Sequence, residues 1–372
     1  MAQAQSILLV TSDPEAVQPV RRSLALLQPV QTLCLTDPRD DAIRHMLAHG
    51  DGVSVIVSDV VPRGVDIVRG LRGLLDPFRL LKTPILCLVT RTSPRDEVQA
   101  WALGASAVLA TGSTSGALVA AVRGMLQPGE THPGLQPPEL ERQLAVAVTD
   151  VGVAVADMLS SAKQGGRIST PAIAEASGSM LQGIGTVGIS AWMRLVSEVD
   201  DQTYRHCMMV AGFVAAFAMS LGFSHGDCDR LTRAALMHDI GKAFIPLDIL
   251  NKPGPLDATQ AALMRSHACL GDDLLRAQGG HGEMTLDVVR HHHEHLDGSG
   301  YPDGLSGRGI SDPVRIATIC DIFAALIERR AYKSPMTDAE AFQIMRGMTG
   351  KLDMQLLTMF GRLFARPMPR SA

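Results

Sequence analysis

The residues best suited to chemistry lie in the second half of the chain, where histidine and aspartate occur in two short motifs. One is His-His-Glu-His-Leu-Asp-Gly-Ser-Gly-Tyr-Pro, from His292 to Pro302, and the other is His-Asp-Ile-Gly-Lys, which begins at His238. Imidazole nitrogens and carboxylate oxygens suit zinc, iron, manganese or nickel. The cysteines are widely separated, which argues against a site built from thiolates. The two motifs therefore predict a metal site with histidine and carboxylate ligands.

Two polar residues in apolar helical stretches extend this set. His206 precedes the uncharged stretch Cys207–Phe223, where a lone histidine is more often a satisfied core residue than a ligand. Asp321 is the only carboxylate in the apolar helix predicted over Val314–Leu326. Burying an ionised carboxylate is expensive unless a metal or a cation neutralises it. Arg315 could be that cation, but a metal would explain Asp321 together with the histidines.

The residue types alone leave the choice among the histidines at 291–295 open. His291 and His295 are four residues apart and could form a pair of ligands on one face of a helix. His292 and His293 are the alternative pair. His267, on an amphipathic segment, would be unremarkable if it were considered alone.

Taken together, the two motifs resemble those of the HD-GYP domain, a family of bacterial metal-dependent phosphodiesterases that act on cyclic di-GMP. The resemblance runs from about residue 169 to 348 and includes both motifs in full, with Leu-Asn-Lys-Pro-Gly at 250–254 and Tyr-Lys at 332–333. A single His-Asp pair would be weak evidence, whereas two long motifs in the expected order are specific. The resemblance implies hydrolysis of cyclic di-GMP to the linear dinucleotide pGpG and, if hydrolysis continues, to GMP.

The resemblance also implies two divalent metal ions, of iron, manganese or a similar metal, and a set of ligands for each. The first ion would have four ligands: His206, His238, Asp239 and Asp321. The second would have three further ligands: His267, His292 and His293. Asp239 would bridge the ions, since two cations about 4 Å apart can activate a shared hydroxide for in-line displacement. Lys242, one turn beyond Asp239, would meet a phosphate oxygen of the substrate.

Substrate contacts are implied for residues of the Gly-Tyr-Pro loop and of the later Tyr-Lys segment: Gly300, Tyr301, Pro302, Arg330 and Lys333. Tyr301 would either stack on a guanine or only fix the loop. The loop would lie at the mouth of the site, where its glycines permit backbone conformations that other residues resist.

Three residues depart from the family pattern. Ala324 stands three residues after Asp321, where an aspartate is common, and Ala331 replaces the proline of Arg-Pro-Tyr-Lys. Gln202 lies four residues before His206, where some members carry a glutamate that binds a third metal. Because a neutral amide is a poor substitute for that carboxylate, we expect a binuclear site and hydrolysis mainly to the linear dinucleotide.

Composition excludes several classes of function. A length of 372 residues predicts two or three domains, and a formal charge of −4 provides no basic field for nucleic acid. Cysteines without close pairs fit reduced thiols in a cytosol. The apolar run Ile7–Val10 is too short for a signal peptide, and Cys207–Phe223 is better explained as a core helix than as a membrane span. We therefore expect a cytoplasmic protein that binds neither nucleic acid nor membrane.

Residues 1–123 alternate short apolar runs with helical stretches, which predicts a parallel α/β sheet. Four strands are predicted: Ile7–Val10, Val53–Val57, Ile85–Val89 and Ala107–Leu109. Their order and lengths resemble a response-regulator receiver domain. We expect the module to act in docking or dimerisation, because the chemistry of a receiver is largely missing.

The missing chemistry concerns magnesium and the phosphoryl group. Thr11 and Ser12 stand where a receiver carries its acidic cluster, so a hard cation has few anionic oxygens. The phosphoacceptor position falls on Ser58, although Asp59 is adjacent, and Thr111 replaces the lysine that would contact the phosphoryl group. The module is therefore interpreted as a pseudo-receiver that phosphorylation does not switch.

The predicted organisation is a pseudo-receiver domain at 1–127, a Pro/Gly-rich linker at 128–138, an HD-GYP domain at 139–365 and a flexible tail at 366–372. The fold class is multidomain: a doubly wound parallel sheet of the receiver type, followed by an all-α HD-type helical domain. Glu139–Ala162 is predicted as an apolar helix interrupted at Gly152, which packs in the core of the second domain or pairs two protomers.

Two other functions remain open from the sequence. The first is an effector that binds cyclic di-GMP with little turnover and acts through protein partners, which contact the pseudo-receiver and the Gly-Tyr-Pro loop. The second is an HD phosphohydrolase of another nucleotide, including a hybrid cyclic dinucleotide.

Overall fold

The structure is a computed structural model that describes residues 6–34, 52–60, 83–89, 103–126, 139–199, 201–328 and 336–365, with a few single residues between 71 and 101. The chain forms two compact units, Met1–Thr149 and Asp150–Ala372. The predicted linker, the predicted tail and the predicted substrate contacts Arg330 and Lys333 lie outside the described residues.

The first unit contains a parallel sheet. Its strands are β1 (Ser6–Thr11), β2 (Val30–Cys34), β3 (Val53–Ser58), β4 (Ile85–Val89) and β5 (Ala107–Ala110). They are arranged in the order β2-β1-β3-β4-β5, which is the flavodoxin-like doubly wound order expected of a receiver. The four predicted strands are confirmed. The edge strand β2 was not predicted, because its sequence is partly polar and only Leu33 of its five residues is buried.

Apolar residues of the central strands and two helices form the core of this unit. Helices α1 (Gln18–Leu24) and α2 (Ser115–Leu126) pack together, and Leu118 and Val122 of α2 join strand residues such as Leu9 in one buried cluster. β1 and β4 are buried along their whole length, as strands covered on both faces of a sheet must be.

The carboxyl ends of β1 and β3 meet at the edge where a receiver would hold its phosphoacceptor. Ser58, the position predicted from the sequence, is the last residue of β3 and is buried. Asp59 follows it, and the Thr11 hydroxyl donates a hydrogen bond of 3.0 Å to Asp59 Oδ2. Burial raises the pKa of Asp59, and the Thr11 hydrogen bond offsets part of that rise.

Helices dominate the second unit, and the boundary with the first falls within α3. Its described helices are α3 (Glu139–Lys163), α4 (Thr170–Val187), α5 (Ile189–Val196), α6 (Gln202–Ser220), α7 (His225–Met237), α8 (Leu247–Leu250), α9 (Ala258–Arg265), α10 (His267–Gln278), α11 (Glu283–His291), α12 (Asp312–Ile327), α13 (Asp338–Gly347) and α14 (Met354–Ala365). Two short 3₁₀ segments, Ile240–Phe244 and Gly307–Gly309, complete the set. The expectation of an α/β unit followed by an all-α unit is confirmed.

Helix α6 is the central helix of this unit. Asp201 caps its start by accepting a hydrogen bond from the Tyr204 amide, and every residue from His206 to Ala218 is buried. α6 packs against α4, α5, α7, α12 and α14. The interpretation of this apolar stretch as a core helix agrees with that burial. His206 is thus a polar residue at the start of a fully buried segment.

Helix α3 is continuous, so the predicted interruption at Gly152 is wrong. A glycine inside a helix costs about 1 kcal/mol relative to alanine, which packing can outweigh. Gly152 is buried, and a Cβ built on it would lie 3.6 Å from Met208 Sδ of α6. Among the described residues, Arg142–Lys163 of α3 passes a length and hydropathy test for a membrane span, and 44% of the tested window is buried inside the protein.

Candidate metal centre

The seven predicted ligands come from five helices whose ends or buried faces meet at one place. His206 lies on α6, and His238 caps the C-terminus of α7 with Asp239 next to it. The others follow from α10, from the end of α11 and from the buried face of α12: His267, His292, His293 and Asp321. All except His293 are buried, and His293 is half-buried.

A glycine of the His-Asp-Ile-Gly-Lys motif permits this approach. A Cβ built on Gly241 would lie 1.9 Å from the His267 carbonyl oxygen, so the 3₁₀ segment can contact α10 only without a side chain there. The requirement is space, since the backbone of Gly241 is not in the left-handed region. Gly241 thereby brings Asp239 and His267 together.

One oxygen of Asp239 faces a first group of imidazoles. Asp239 Oδ2 lies 3.2 Å from His238 Nε2 and 3.7 Å from His206 Nε2. His206 Nε2 also lies 2.9 Å from Asp321 Oδ1. Candidate donor atoms of His206, His238 and Asp239 all lie within 4.8 Å of one another, so one cation could bind all three.

The other oxygen of Asp239 faces a second group. Asp239 Oδ1 lies 3.3 Å from His267 Nε2 and 3.9 Å from His292 Nε2. Candidate donor atoms of Asp239, His267, His292 and His293 likewise lie within 4.8 Å of one another. Asp239 therefore belongs to both groups, with one carboxylate oxygen for each.

Hydrogen bonds at Nδ1 fix the ring orientation of three histidines, so that Nε2 faces the centre of the site. The Nδ1 atoms of His238 and His267 each lie 2.7 Å from a backbone carbonyl oxygen of the preceding turn, and His292 Nδ1 lies 3.0 Å from the Val289 carbonyl. Because a carbonyl can only accept, each Nδ1 carries the proton and each Nε2 presents a lone pair. An imidazole ligand of a metal has the same arrangement.

This donor set fits a bound cation. His267 Nε2 and His292 Nε2 are 3.3 Å apart, and two lone pairs at that distance repel unless a cation or a proton lies between them. His238 Nε2 and Asp239 Oδ1 are buried and have no hydrogen-bond partner among the described residues. Buried polar atoms without partners are rare in native proteins, and here they converge on one point.

The charge states also suit a cation. Burial lowers the pKa of His267 and His292, and it lowers the pKa of His293 to about 3. Burial alone would raise the pKa of Asp239, but its neighbours His238 and Lys242 hold it well below its usual value. Neutral imidazoles beside an ionised carboxylate are the protonation states that bind metals.

His206 differs from the other histidines in its surroundings. Burial alone would lower its pKa, but the carboxylates of Asp321 and Glu328 raise it to about 9. Asp321 also reaches the second group, since its Oδ2 lies 3.7 Å from His293 Nδ1. Arg315, the alternative partner for Asp321, instead lies 3.2 Å from Asp353.

Lys242 lies inside the site. Its Nζ is 2.6 Å from Asp239 Oδ2, and its side chain is 21% exposed. Burial alone would lower the pKa of Lys242, but Asp239 raises it, so the side chain is charged. A cation therefore lies next to the carboxylate shared by both groups.

The Gly-Tyr-Pro loop closes over the second group. The Tyr301 ring stacks on His293, with centroids 4.7 Å apart, and the Arg265 guanidinium lies 5.5 Å from the Tyr301 centroid. A Cβ built on Gly300 would lie 2.4 Å from the Glu294 Cα, so Gly300 is needed for close approach. The conformational freedom that the sequence suggested is needed at Gly298, whose φ is +78°.

Glu294, to which the sequence assigned no role, anchors this loop. It is 2% exposed, and its carboxylate accepts hydrogen bonds from the backbone amides of Asp303, Gly304 and Leu305 at 2.7, 2.9 and 3.0 Å. The only sequence signal was its position inside the longer motif.

His291 and His295 do not join the cluster. His291 Nδ1 lies 2.7 Å from Asp287, and its Nε2 lies 2.9 Å from Asp303, so both ring nitrogens face carboxylates. His295 Nδ1 lies 3.2 Å from the Ser299 hydroxyl. Because α11 ends at His291, the two residues do not form the helical pair that their spacing allowed.

Sequence reasoning missed three supporting residues besides Glu294. Glu328 is buried at the end of α12, beside His206, and Thr318 of the same helix donates a hydrogen bond of 2.8 Å to the His292 carbonyl. Arg265 was missed because its contact with Tyr301 joins segments far apart in the chain. Gln202, the predicted departure at a third metal position, is exposed at the start of α6.

This geometry is that of an HD-type helical domain, and residues 190–356 match the HD domain family. The second unit of the chain therefore contains an HD domain. A solved HD-GYP-related protein from Bdellovibrio bacteriovorus, Bd1817, aligns over 66% of this chain and 80% of its own with a TM-score of 0.51 and 18% identity, which shows a shared fold.

Curated relatives confirm the resemblance to HD-GYP proteins. A cyclic di-GMP phosphodiesterase of Pseudomonas aeruginosa is 33% identical over 223 residues, which are 59% of this chain and 53% of that protein. A 3'3'-cGAMP-specific phosphodiesterase of Vibrio cholerae is 36% identical over 157 residues, which are 42% of this chain and 30% of that protein. The chain thus spans about half, or less, of the length of these relatives.

Proposed function

We propose that the chain is a cytoplasmic, metal-dependent phosphodiesterase that hydrolyses cyclic di-GMP. The observation that carries the proposal is the position of Asp239, which offers one oxygen to each of two buried groups of imidazoles. This arrangement supports two ions, held by the ligands His206, His238, Asp239, His267, His292, His293 and Asp321. Bound divalent cations would provide an activated water and neutralise charge on the phosphodiester.

The protein side chains would position the substrate. Lys242 is the charged group nearest to the shared carboxylate and would bind a phosphate oxygen of the dinucleotide. Tyr301, together with Gly300 and Pro302, would form the wall of the site on the side of His293. Arg330 and Lys333 would add contacts to the phosphates and bases.

A guanine base would have to compete for the exposed face of Tyr301. His293 stacks on one face of the ring, and the Arg265 guanidinium lies over the ring, 5.5 Å from its centroid. Stacking of a base on Tyr301 therefore requires Arg265 to move aside or to sandwich the base. In either position the guanidinium remains available to the acceptor atoms of guanine.

The test is direct hydrolysis by the full chain. Protein purified without oxygen and loaded with Mn²⁺ or Fe²⁺ is incubated with cyclic di-GMP, and the products are separated by chromatography. We expect pGpG as the main product, with no product from Asp239→Asn. Bound metal and bound nucleotide without turnover would refute the enzymatic proposal and favour an effector that senses the nucleotide.

A hybrid cyclic dinucleotide is the second candidate substrate. The similarity to a 3'3'-cGAMP-specific relative favours testing it, because that relative is 36% identical to the matched part of this chain and the cyclic di-GMP phosphodiesterase of Pseudomonas aeruginosa is 33% identical. Comparison of kcat/KM for the two nucleotides with one preparation decides between them. A higher value for 3'3'-cGAMP would reassign the substrate.

The first unit would serve in regulation as a pseudo-receiver that docks a protein partner or a second copy of the chain. The Thr11–Asp59 hydrogen bond supports this assignment, because it occupies one oxygen of the carboxylate that follows β3. Purified protein treated with a phosphoryl donor should remain unmodified at Asp59, and phosphate found there by mass spectrometry would contradict the assignment.

A further inference from the structure

The metal site has a buried carboxylate behind one of its histidines. Glu328, at the end of α12, is 4% exposed. Its Oε1 lies 3.2 Å from Arg205 Nε, and its Oε2 lies 3.5 Å from His206 Nδ1. A buried carboxylate is costly unless charged or polar partners compensate for it, and consecutive residues of α6 supply both partners here.

His206 is thereby distinguished from the other candidate ligands. His238, His267 and His292 direct Nδ1 to backbone carbonyls, whereas His206 directs Nδ1 to a carboxylate. At 3.5 Å this contact is an ion pair rather than a hydrogen bond in this structure. The carboxylate charge favours the proton on Nδ1 and so leaves Nε2, which faces Asp321 and Asp239, as the donor to a cation. A small rotation of either side chain would give a hydrogen bond to an ionised acceptor, which is stronger than one to a carbonyl.

The carboxylate comes from an unexpected position of α12. Ala324, one turn earlier and on the same face of the helix, is fully buried and has no oxygen to offer. Glu328 is at the other end of that turn, and Arg205 holds it in place, since Arg205 Nη1 also donates a hydrogen bond of 2.7 Å to the Val199 carbonyl. The contacts run from Arg205 through Glu328 to His206.

We infer that Glu328 is a positioning residue that orients His206 and strengthens metal binding in the group made by His206, His238, Asp239 and Asp321. It does not contact the second group, so its effect should be confined to one of the two ions. The inference rests on the proposed metal site, but it does not depend on the proposed hydrolysis of cyclic di-GMP.

The experiment measures metal binding without turnover. Equilibrium dialysis against Mn²⁺, with the metal counted per chain, gives the affinity of each site in the wild type, in Glu328→Gln and in Glu328→Asp. The matched control is Glu283→Gln, the same chemical change at an exposed residue. Far-UV circular dichroism compares the folding of the variants, and the aspartate variant, which keeps the charge, provides a milder perturbation.

We expect Glu328→Gln to weaken one Mn²⁺ site on the order of 10–100-fold and to leave the other site unchanged. Glu328→Asp should lie between the wild type and the glutamine variant. A second readout is long-range ¹H–¹⁵N NMR of the Zn²⁺-loaded protein, in which the His206 Nδ1–H signal should shift in Glu328→Gln and not in Glu283→Gln.

Two results would overturn the inference. Unchanged affinities at both sites, with an unchanged Nδ1–H signal, would show that Glu328 only neutralises Arg205. Equal weakening of both sites would show a general structural role. Since hydrolysis is not measured, a protein that binds two ions and hydrolyses no nucleotide would refute the proposed function and leave this inference standing.

Discussion

Replacement of Glu294 by glutamine should loosen the Gly-Tyr-Pro loop while leaving the metal ligands in place. Glu294 Oε1 accepts hydrogen bonds from the Asp303 and Gly304 amides, and Oε2 accepts one from Leu305. Glutamine keeps one acceptor oxygen, but its amide nitrogen cannot accept. At least one of the three backbone N–H groups therefore loses its partner in the protein.

The magnitude follows from the lost interaction. A hydrogen bond to a charged group contributes about 1.5–3 kcal/mol. A loss of about 2–3 kcal/mol in the stability of the closed loop would raise the population of its open form by roughly 30–150-fold. Because Tyr301 lies on this loop, the KM for the substrate should rise, while metal content stays at the wild-type value.

Hydrogen exchange of the metal-loaded protein measures the loop directly. Faster exchange in residues 295–305 of Glu294→Gln, with unchanged exchange in α6, is the expected result, and the exposed Glu283→Gln is the control. Unchanged exchange in that segment would refute the anchoring role. Loss of metal in parallel with faster exchange would show instead that Glu294 supports the adjacent ligand His293.

The remaining predictions concern the metal ligands, the substrate loop and one departure from the family. Asp239→Ala should lose both ions and hydrolysis, and full metal content by elemental analysis would show that the bridge is misassigned. Tyr301→Ala should weaken substrate binding by about 1–3 kcal/mol without loss of metal, whereas an equal loss of metal would contradict a substrate role. Burial lowers the pKa of His293 to about 3, whereas an exposed histidine has a pKa of about 6.5. The unfolded chain therefore takes up a proton first as the pH falls, and the metal-free fold should lose about 2 kcal/mol from this residue between pH 6.5 and 4.5. In urea titrations His293→Asn should lack this part of the pH dependence, and an identical dependence would show that His293 titrates normally. Gln202→Glu should add a third metal and shift the products from pGpG towards GMP. If the variant neither gains a metal nor changes its product ratio, the binuclear explanation of the product is refuted.

The ligands were accessible to sequence reasoning because they lie in compact motifs or interrupt apolar stretches. His238 and Asp239 are adjacent, and Asp321 is a lone carboxylate in an apolar helix. The structure places these side chains close together. Spacing alone could not decide between two pairs of candidate ligands, His291 with His295 and His292 with His293. The choice depends on the end of α11 at His291, because this end sets which side chains face the centre.

The supporting residues were not accessible in the same way. Glu328 meets Arg205 across 123 positions of the chain, and nothing in the local sequence marks either residue as part of a metal site. Glu294 lies inside a motif, but its role depends on the loop folding back to present three amides. Such contacts are set by the packing of α6 against α12 and by the path of the loop, which local periodicity does not encode.

The fold likewise contains elements that the local sequence predicts and elements that only their packing identifies. β1, β3, β4 and β5 are apolar runs and could be predicted, whereas β2 is a half-buried edge strand whose pairing with β1 is needed to recognise it. Gly152 was expected to interrupt α3, but the helix is continuous there and the residue is buried against Met208 of α6.

Asp59 and Asp239 show why, among the described residues, only the second unit groups side chains that could hold a cation. Asp239 is buried and Asp59 is partly buried, and burial raises the pKa of a carboxylate. Asp59 has one described side-chain hydrogen-bond donor, the neutral Thr11 hydroxyl, and its pKa remains raised. Asp239 has Lys242 and several imidazoles around it, and its pKa is held well below the usual value. A carboxylate that must stay ionised needs compensating positive charge, and in the described part of the chain it is the second unit that supplies this charge together with further candidate ligands.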